Sequence, residues 1–132
     1  MSKTDFTWPV RVYIEDTDAG TIVYHANYLK YMERARTEWL RSLGFEQEEL
    51  RQQDTLFVVR SLQIDYKAPA RLDDELIINV SIERLRKVGL TITQQILCRA
   101  SQMILAQARV EIACISQNGQ VKAMPKNFID AI

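Results

Sequence analysis

The hydrophobic pattern of the chain changes its period along its length. Near the N-terminus apolar and polar residues alternate, which predicts a half-buried strand; its apolar positions are Val10, Val12 and Ile14. Apolar residues then recur every three or four positions, which predicts one face of a helix. This stripe comprises Tyr28, Met32, Ala35, Trp39 and Leu43, widened by Leu29 and Leu40. Asn27 is the expected N-cap of the helix, and Gly44 its C-terminal stop.

From Leu56 onward the period returns to two. Four further strands are predicted, around residues 62–66, 76–82, 90–98 and 106–114, and Asn118-Gly119 predicts a tight turn. Short connections between the last strands favour antiparallel neighbours. The predicted fold is therefore α+β: a five-stranded antiparallel sheet wrapped around one long helix, in a single domain covering residues 1–132.

The composition of the chain mainly excludes certain classes of partner and location. The length of 132 residues and a hydrophobic fraction of 47% suit one domain with a packed core. Lys+Arg and Asp+Glu both number 17, so the net charge of zero argues against a nucleic-acid partner. The chain has no apolar run long enough to span a membrane, and residues 1–8 lack the apolar stretch of a signal peptide. We therefore expect a cytoplasmic protein.

Residues that could bind metal are too few for a metal site. His25 is the only histidine, and Cys98 and Cys114 are far apart in sequence, so we expect two reduced, packed thiols and no metal. The sequence also lacks a Gly-x-Ser-x-Gly motif, a P-loop and a dinucleotide fingerprint. No cofactor is expected.

The densest polar segment lies between the first strand and the helix. Residues 15–20 read Glu-Asp-Thr-Asp-Ala-Gly, and His25 follows. Carboxylates just ahead of a helix start, with its free N–H groups and positive dipole end, suit chemistry at a carbonyl. The alternative is that Asp16 or Asp18 only caps a turn. A calcium loop does not fit, because Thr21 and Asn27 stand where glycine and glutamate are needed.

Two further features each have two interpretations. The lone His25 is either an ordinary polar residue or part of a site. The basic residues Arg84, Arg86 and Lys87, at a predicted strand end and turn, form either an exposed hairpin tip or a phosphate clamp. The small side chains of the last strand, together with the marginal size of a single sheet layer, favour at least a dimer.

Several motifs together resemble the 4-hydroxybenzoyl-CoA thioesterase family, and within it the Tol–Pal-associated acyl-CoA thioesterase branch. They are residues 15–20, the segment Val-Tyr-His-Ala-Asn-Tyr at 23–28, Glu-Arg-Ala-Arg at 33–36, and Tyr-Lys-Ala-Pro-Ala-Arg at 66–71. The resemblance implies the hotdog fold and a homodimer that assembles into a homotetramer, with active sites at the subunit interface. It also places the key carboxylate at Asp18 and structural support at Asp16. One departure is Ile14, where several relatives carry tyrosine.

The implied activity is hydrolysis of acyl-CoA, with an acyl carrier protein as a possible alternative donor. Backbone N–H groups near His25 would polarise the thioester carbonyl, and Asp18 would act as nucleophile or general base. His25 would assist, and Arg86 and Lys87 would bind the phosphates of coenzyme A. The alternatives are a dehydratase or hydratase acting on an acyl thioester, and a non-catalytic acyl-CoA-binding or scaffold module near the cell envelope machinery.

Overall fold

One long helix lies against the inner face of a five-stranded sheet in the computed structural model, which describes residues 6–132. The strands are β1 (Phe6–Arg11), β2 (Leu56–Tyr66), β3 (Glu75–Leu85), β4 (Gly89–Cys98) and β5 (Ile104–Ile115). The helices are α1 (Asn27–Ser42), α2 (Gln47–Gln52) and α3 (Lys126–Ala131), and a 3-10 turn covers Ile14–Asp16. The predicted α+β class and the five strands are confirmed.

The sheet is antiparallel throughout, in the order β1-β3-β4-β5-β2. Alternate residues of a strand face the same side, so the register brings apolar rows together. Ile78 is paired with Ile96, and Ile92 with Val110, and all four are fully buried. β4 is the central strand, whereas β1 and β2 form the two edges.

Helix α1 buries the stripe that its sequence predicts. Tyr28, Met32, Ala35 and Trp39 are all buried, whereas Glu33 on the opposite face is exposed. The helix ends where Gly44 adopts a left-handed φ of 93° and donates its N–H to the carbonyl of Arg41 across 2.9 Å. This is the predicted glycine stop, and it works because glycine adopts that conformation without steric strain.

Two predictions at the N-terminal half are wrong. β1 begins at Phe6 and ends at Arg11, and Ile14 lies in the 3-10 turn with 75% of its surface exposed. The strand ends early because the Asp16 carboxylate accepts the N–H of Tyr13 and turns the chain. Asn27 is not the N-cap but the first residue of α1, because its side chain donates to Asp16 instead of capping the helix.

The C-terminal segment closes one end of the layer between helix and sheet. The chain reverses at Gly119, where Ser116 and Gln120 pair through their backbones, so the predicted Asn118-Gly119 turn is confirmed. The short helix α3 then brings Phe128 to a fully buried position, where its ring meets those of Trp39 and Phe57. None of the helices between residues 6 and 132 is long and apolar enough to cross a bilayer.

Candidate active site

The acidic loop is a narrow reversal of the chain between β1 and α1. Thr17 pairs with Val23, and Asp18 donates its N–H to the carbonyl of Ile22 across 3.0 Å. The turn is closed by the N–H of Thr21 on the carbonyl of Asp18, and Thr21 has a left-handed φ of 62°. Asp18 therefore lies at the start of the tip, with an exposed carboxylate.

The two aspartates of the loop differ in their surroundings. Asp16 is buried, and its two carboxylate oxygens accept the Tyr13 N–H and the Asn27 amide, each across 2.9 Å. Asp18 is exposed, and among residues 6–132 its carboxylate accepts one hydrogen bond, from the N–H of Gly20 across 3.1 Å. Asp16 thus fastens the loop, as the resemblance implied, whereas Asp18 keeps most of its hydrogen-bonding capacity for another group.

The charge of Asp18 affects a residue in the first turn of α1. Burial, followed by the charges of Asp18 and Asp74, raises the pKa of Tyr28, although a hydrogen bond from the Ala70 N–H to the Tyr28 hydroxyl opposes the shift. The charge of Asp18 therefore acts on the first turn of the helix. Within residues 6–132, no backbone hydrogen bond uses the N–H of His25 or Ala26. A carboxylate and unused N–H groups therefore both occur at the helix start.

His25 lies in a shallow cleft beside this helix start. Its ring is exposed, with ring centroids 4.6 Å from Tyr24 and 6.4 Å from Tyr66. The Tyr66 hydroxyl donates to the backbone carbonyl of His25 across 2.8 Å, which fixes the backbone at this point. Lys67 also lines the cleft. Tyr66 and Lys67 belong to the 66–71 motif, but periodicity and spacing alone do not indicate that they lie beside His25.

A buried tyrosine lies behind the loop. The Tyr31 hydroxyl is fully buried, and no contact that it makes within residues 6–132 meets hydrogen-bond geometry. It nevertheless lies near enough to the Asp16 carboxylate to be affected by it both as a hydrogen-bond acceptor and as a charge. Burial first, and then the Asp16 carboxylate, raises the pKa of Tyr31 well above its ordinary value. The space behind the loop is therefore poorly solvated.

Comparison with known proteins identifies the family. The model of the thioesterase-like superfamily matches residues 12–132. The chain is 45% identical, over 130 residues, to the acyl-CoA thioester hydrolase YbgC of Escherichia coli, covering 98% of this chain and 96% of that protein. The chain belongs to the thioesterase-like superfamily. This confirms the family to which its motifs were assigned.

Solved structures confirm the hotdog fold of this superfamily. A probable thioesterase from Bartonella henselae is 37% identical and superposes with a TM-score of 0.85, covering 90% of this chain and 98% of the other. A 1,4-dihydroxy-2-naphthoyl-CoA thioesterase from Synechocystis is 26% identical, with a TM-score of 0.90 and coverage of 96% and 94%. The helix enclosed by an antiparallel sheet is thus the arrangement that thioesterases of this kind share.

The structure does not bring Arg86 and Lys87 near Asp18 within this thioesterase-like chain. Both lie in the turn between β3 and β4, whereas the acidic loop is hydrogen-bonded to the chain just before β3 begins, through Leu72 and Thr21. The eleven residues of β3 span about 33 Å between these points. Arg86 forms an ion pair with Glu111 at 3.2 Å. Their predicted phosphate contact therefore stays a prediction that the geometry of this single chain does not support.

Proposed function

We propose that this protein hydrolyses acyl-CoA thioesters to the free acid and coenzyme A, with Asp18 at the centre of the chemistry. Two observations carry the proposal: Asp18 has an exposed side chain in the loop before α1, and no backbone hydrogen bond within residues 6–132 uses the N–H of His25 or Ala26 at the helix start. Two of the similar proteins, an acyl-CoA thioester hydrolase and a 1,4-dihydroxy-2-naphthoyl-CoA thioesterase, support the same reaction class.

The thioester carbonyl would lie against the N–H groups of His25 and Ala26. These donors and the positive end of the helix dipole stabilise the negative charge that develops on the carbonyl oxygen during attack. Because the donors are already fixed by the backbone, they need no reorganisation as the charge forms. This part of the site supplies the electrostatic stabilisation of the transition state.

Asp18 would supply the attacking group by one of two routes. Its carboxylate attacks the carbonyl and forms a mixed anhydride that water then hydrolyses, or it removes a proton from a water molecule that attacks directly. In either route the C–S bond breaks with its electron pair on sulfur. A thiol of this kind has a pKa of about 8.5, by analogy with cysteine, so the thiolate leaves without strong acid assistance.

His25 would assist at the carbonyl from the cleft beside Asp18. The Tyr66 hydroxyl fixes the His25 backbone, while the exposed ring can orient water or the Asp18 carboxylate. Arg86 and Lys87 would bind coenzyme A only in an oligomer, because there these residues of one subunit would reach the active site of another. Lys87 is exposed and forms no ion pair within residues 6–132.

A homodimer that assembles into a homotetramer would complete the site. β2 is a long edge strand with two exposed apolar side chains, Val59 and Tyr66, and such an edge favours pairing with a second chain. The exposed Tyr13 and Ile14 beside the acidic loop would also be covered by a partner. A cytoplasmic location, association with the Tol–Pal system and an acyl carrier protein as donor stay predictions.

The test is to mix the purified protein with a panel of acyl-CoA substrates and to quantify free acid and free coenzyme A by chromatography. A thioesterase releases both in equal amounts. A dehydratase or hydratase changes the acyl group but leaves the thioester intact, and a binding module leaves the substrate unchanged; either result contradicts the proposal. Chromatography is preferable to a thiol reagent, because hydrogen bonds from the backbone and side chain of Ser101 lower the pKa of Cys98, which would react as well.

A further inference from the structure

A cavity of about 180 Å³ lies between α1 and the inner face of the sheet. Its walls are mainly apolar, formed by Trp39, Leu40, Phe57, Ile92, Ile112 and Phe128. None of the residues that line the His25 cleft lines this cavity. It is therefore a separate space, deeper along the helix than the acidic loop.

One cationic side chain lines this apolar space. Arg36 is half-buried, and burial lowers its pKa although the charge of Glu33 opposes the shift. Its Nη1 donates to Gln94 Oε1 across 2.9 Å, and within residues 6–132 it forms no ion pair. A guanidinium has five N–H donors, so a single amide acceptor leaves most of them available. A poorly solvated cation of this kind favours an anionic ligand.

Gln94 holds Arg36 in this position. It is fully buried in the central strand β4, on the inward row between Ile92 and Ile96, where a hydrophobic residue would pack at lower cost. Its Nε2 donates to the backbone carbonyl of Met32 across 3.1 Å, so both polar ends of the amide are occupied. The amide therefore fixes one end of the guanidinium, and the same arginine lines the cavity.

Glu33 also lines the cavity, but it does not neutralise Arg36 by direct contact. Its carboxylate is exposed and accepts the Thr37 hydroxyl across 2.8 Å. A solvated carboxylate is screened by water, whereas the half-buried guanidinium is screened much less. The cavity as a whole thus combines an apolar interior with one directed positive charge.

We propose that this cavity binds a free aliphatic carboxylate, with its carboxylate on Arg36 and its hydrocarbon chain against Trp39, Phe57 and Phe128. A phosphorylated ligand fits less well, because the part of the chain that the structure describes offers a single cation in the walls. An alcohol of the same length would bury the same chain but would forgo the charge-assisted hydrogen bonds. The proposal does not depend on the acyl-CoA reaction, although a free carboxylate is the class of product which that reaction would release.

Tryptophan fluorescence and calorimetry test this directly, because Trp39 lines the cavity. Octanoate, octanol and octylamine are titrated separately into the wild-type protein, into Arg36→Met and into the control Arg34→Met, which changes an exposed arginine of the same helix. We expect octanoate to bind saturably and Arg36→Met to weaken it by about tenfold or more. Arg34→Met should bind octanoate like the wild type, and octanol should not depend on Arg36.

Three results would overturn the proposal: no saturable octanoate binding, equal affinity for octanoate and octanol, or unchanged octanoate affinity in Arg36→Met. Thermal melts establish that each variant is folded. If Arg36→Met does not fold, Gln47→Trp replaces it, because Gln47 is an exposed wall residue of α2 whose enlargement should block the cavity. Octanoate affinity that survives in Gln47→Trp would equally contradict the site. These binding results do not depend on whether the protein hydrolyses thioesters, so a failure of the proposed function would not change them.

Discussion

The side-chain amide of Asn27 donates to the buried carboxylate of Asp16 across 2.9 Å, and this bond joins the acidic loop to the first residue of α1. The other carboxylate oxygen accepts the Tyr13 N–H, and the Asp16 carbonyl accepts the Tyr24 N–H. Both sides of the loop that carries Asp18 are therefore tied to Asp16. The position of Asp18 relative to the helix start depends on this buried residue.

Replacing Asn27 should show how strongly this bond holds the loop. Asn27→Ala removes the donor and should lower the free energy of unfolding by about 1–3 kcal/mol, because the buried Asp16 loses a partner. Asn27→Asp should destabilise more at neutral pH, because it places two carboxylates together. The gap between the two variants should shrink as the pH is lowered, because a proton on one carboxyl removes the repulsion between the pair. Urea unfolding at several pH values measures this difference in stability. A difference that does not change with pH would contradict the contact between residue 27 and Asp16.

His25→Ala should lower kcat more than it raises KM. The ring lies in the cleft beside the helix start, so it would act where the carbonyl reacts and not on the distant nucleotide. Steady-state kinetics with one acyl-CoA separate the two effects. A rise in KM alone would assign His25 to substrate binding instead.

Replacing Arg86 and Lys87 together with alanine should raise KM for acyl-CoA and flatten its dependence on salt. Exposed contacts with phosphate are screened as ionic strength rises, so removing them removes the salt effect. Hydrolysis of a short thioester without the nucleotide should stay unchanged. The matched control is Arg41→Ala with Lys126→Ala, which removes two exposed charges elsewhere. An unaltered KM in the first double variant would make the turn an ordinary solvated hairpin tip.

Tyr31 should make the protein less stable at alkaline pH. The unfolded chain releases this proton near pH 10, whereas burial keeps it on the folded protein to higher pH. The stability that the protonated form contributes is therefore complete below pH 10 and is lost as the pH rises toward the folded pKa. Tyr31→Phe should reduce this loss by up to about 1.4 kcal/mol per pH unit.

At neutral pH the same variant should be nearly neutral in stability, because the Tyr31 hydroxyl has no partner within residues 6–132. Chemical unfolding between pH 7 and 11 measures both effects. The control is Tyr13→Phe, at a position with 61% of its surface exposed. A strong loss of stability in Tyr31→Phe at pH 7 would show that the hydroxyl is hydrogen-bonded.

The sequence predicts the parts of the fold in which one face of a long element is buried. The stripe of α1 and the inward rows of β3, β4 and β5 are confirmed because packing fixes their periods. Both cysteines are free, and the predicted packing is confirmed for the buried Cys114 but not for Cys98, which is half-buried. The six-residue helix α3 is not predictable in this way, because it buries only Phe128 and shows less than two turns of any period.

The wrong predictions for the segments around the candidate site have a different physical cause. Residues Asp16 and Asn27 each look like local capping residues, but they bond to each other across eleven positions, which changes where β1 ends and how α1 begins. The start of β1 was missed because Pro9 interrupts the strand pattern, and an edge strand tolerates proline. The contact of Tyr66 with His25 spans 41 positions. Such pairs follow from the tertiary fold, which periodicity does not describe.

The most direct test of the account is kcat for acyl-CoA hydrolysis by Asp18→Asn, beside Glu15→Gln as a control at an exposed carboxylate of the same loop. Asparagine keeps the size of the side chain and can still accept the Gly20 N–H, so the variant should fold with nearly unchanged stability. Removing the nucleophile or base should lower kcat by orders of magnitude, while Glu15→Gln keeps near wild-type turnover. A folded Asp18→Asn enzyme with near wild-type kcat would show that Asp18 is not the catalytic group.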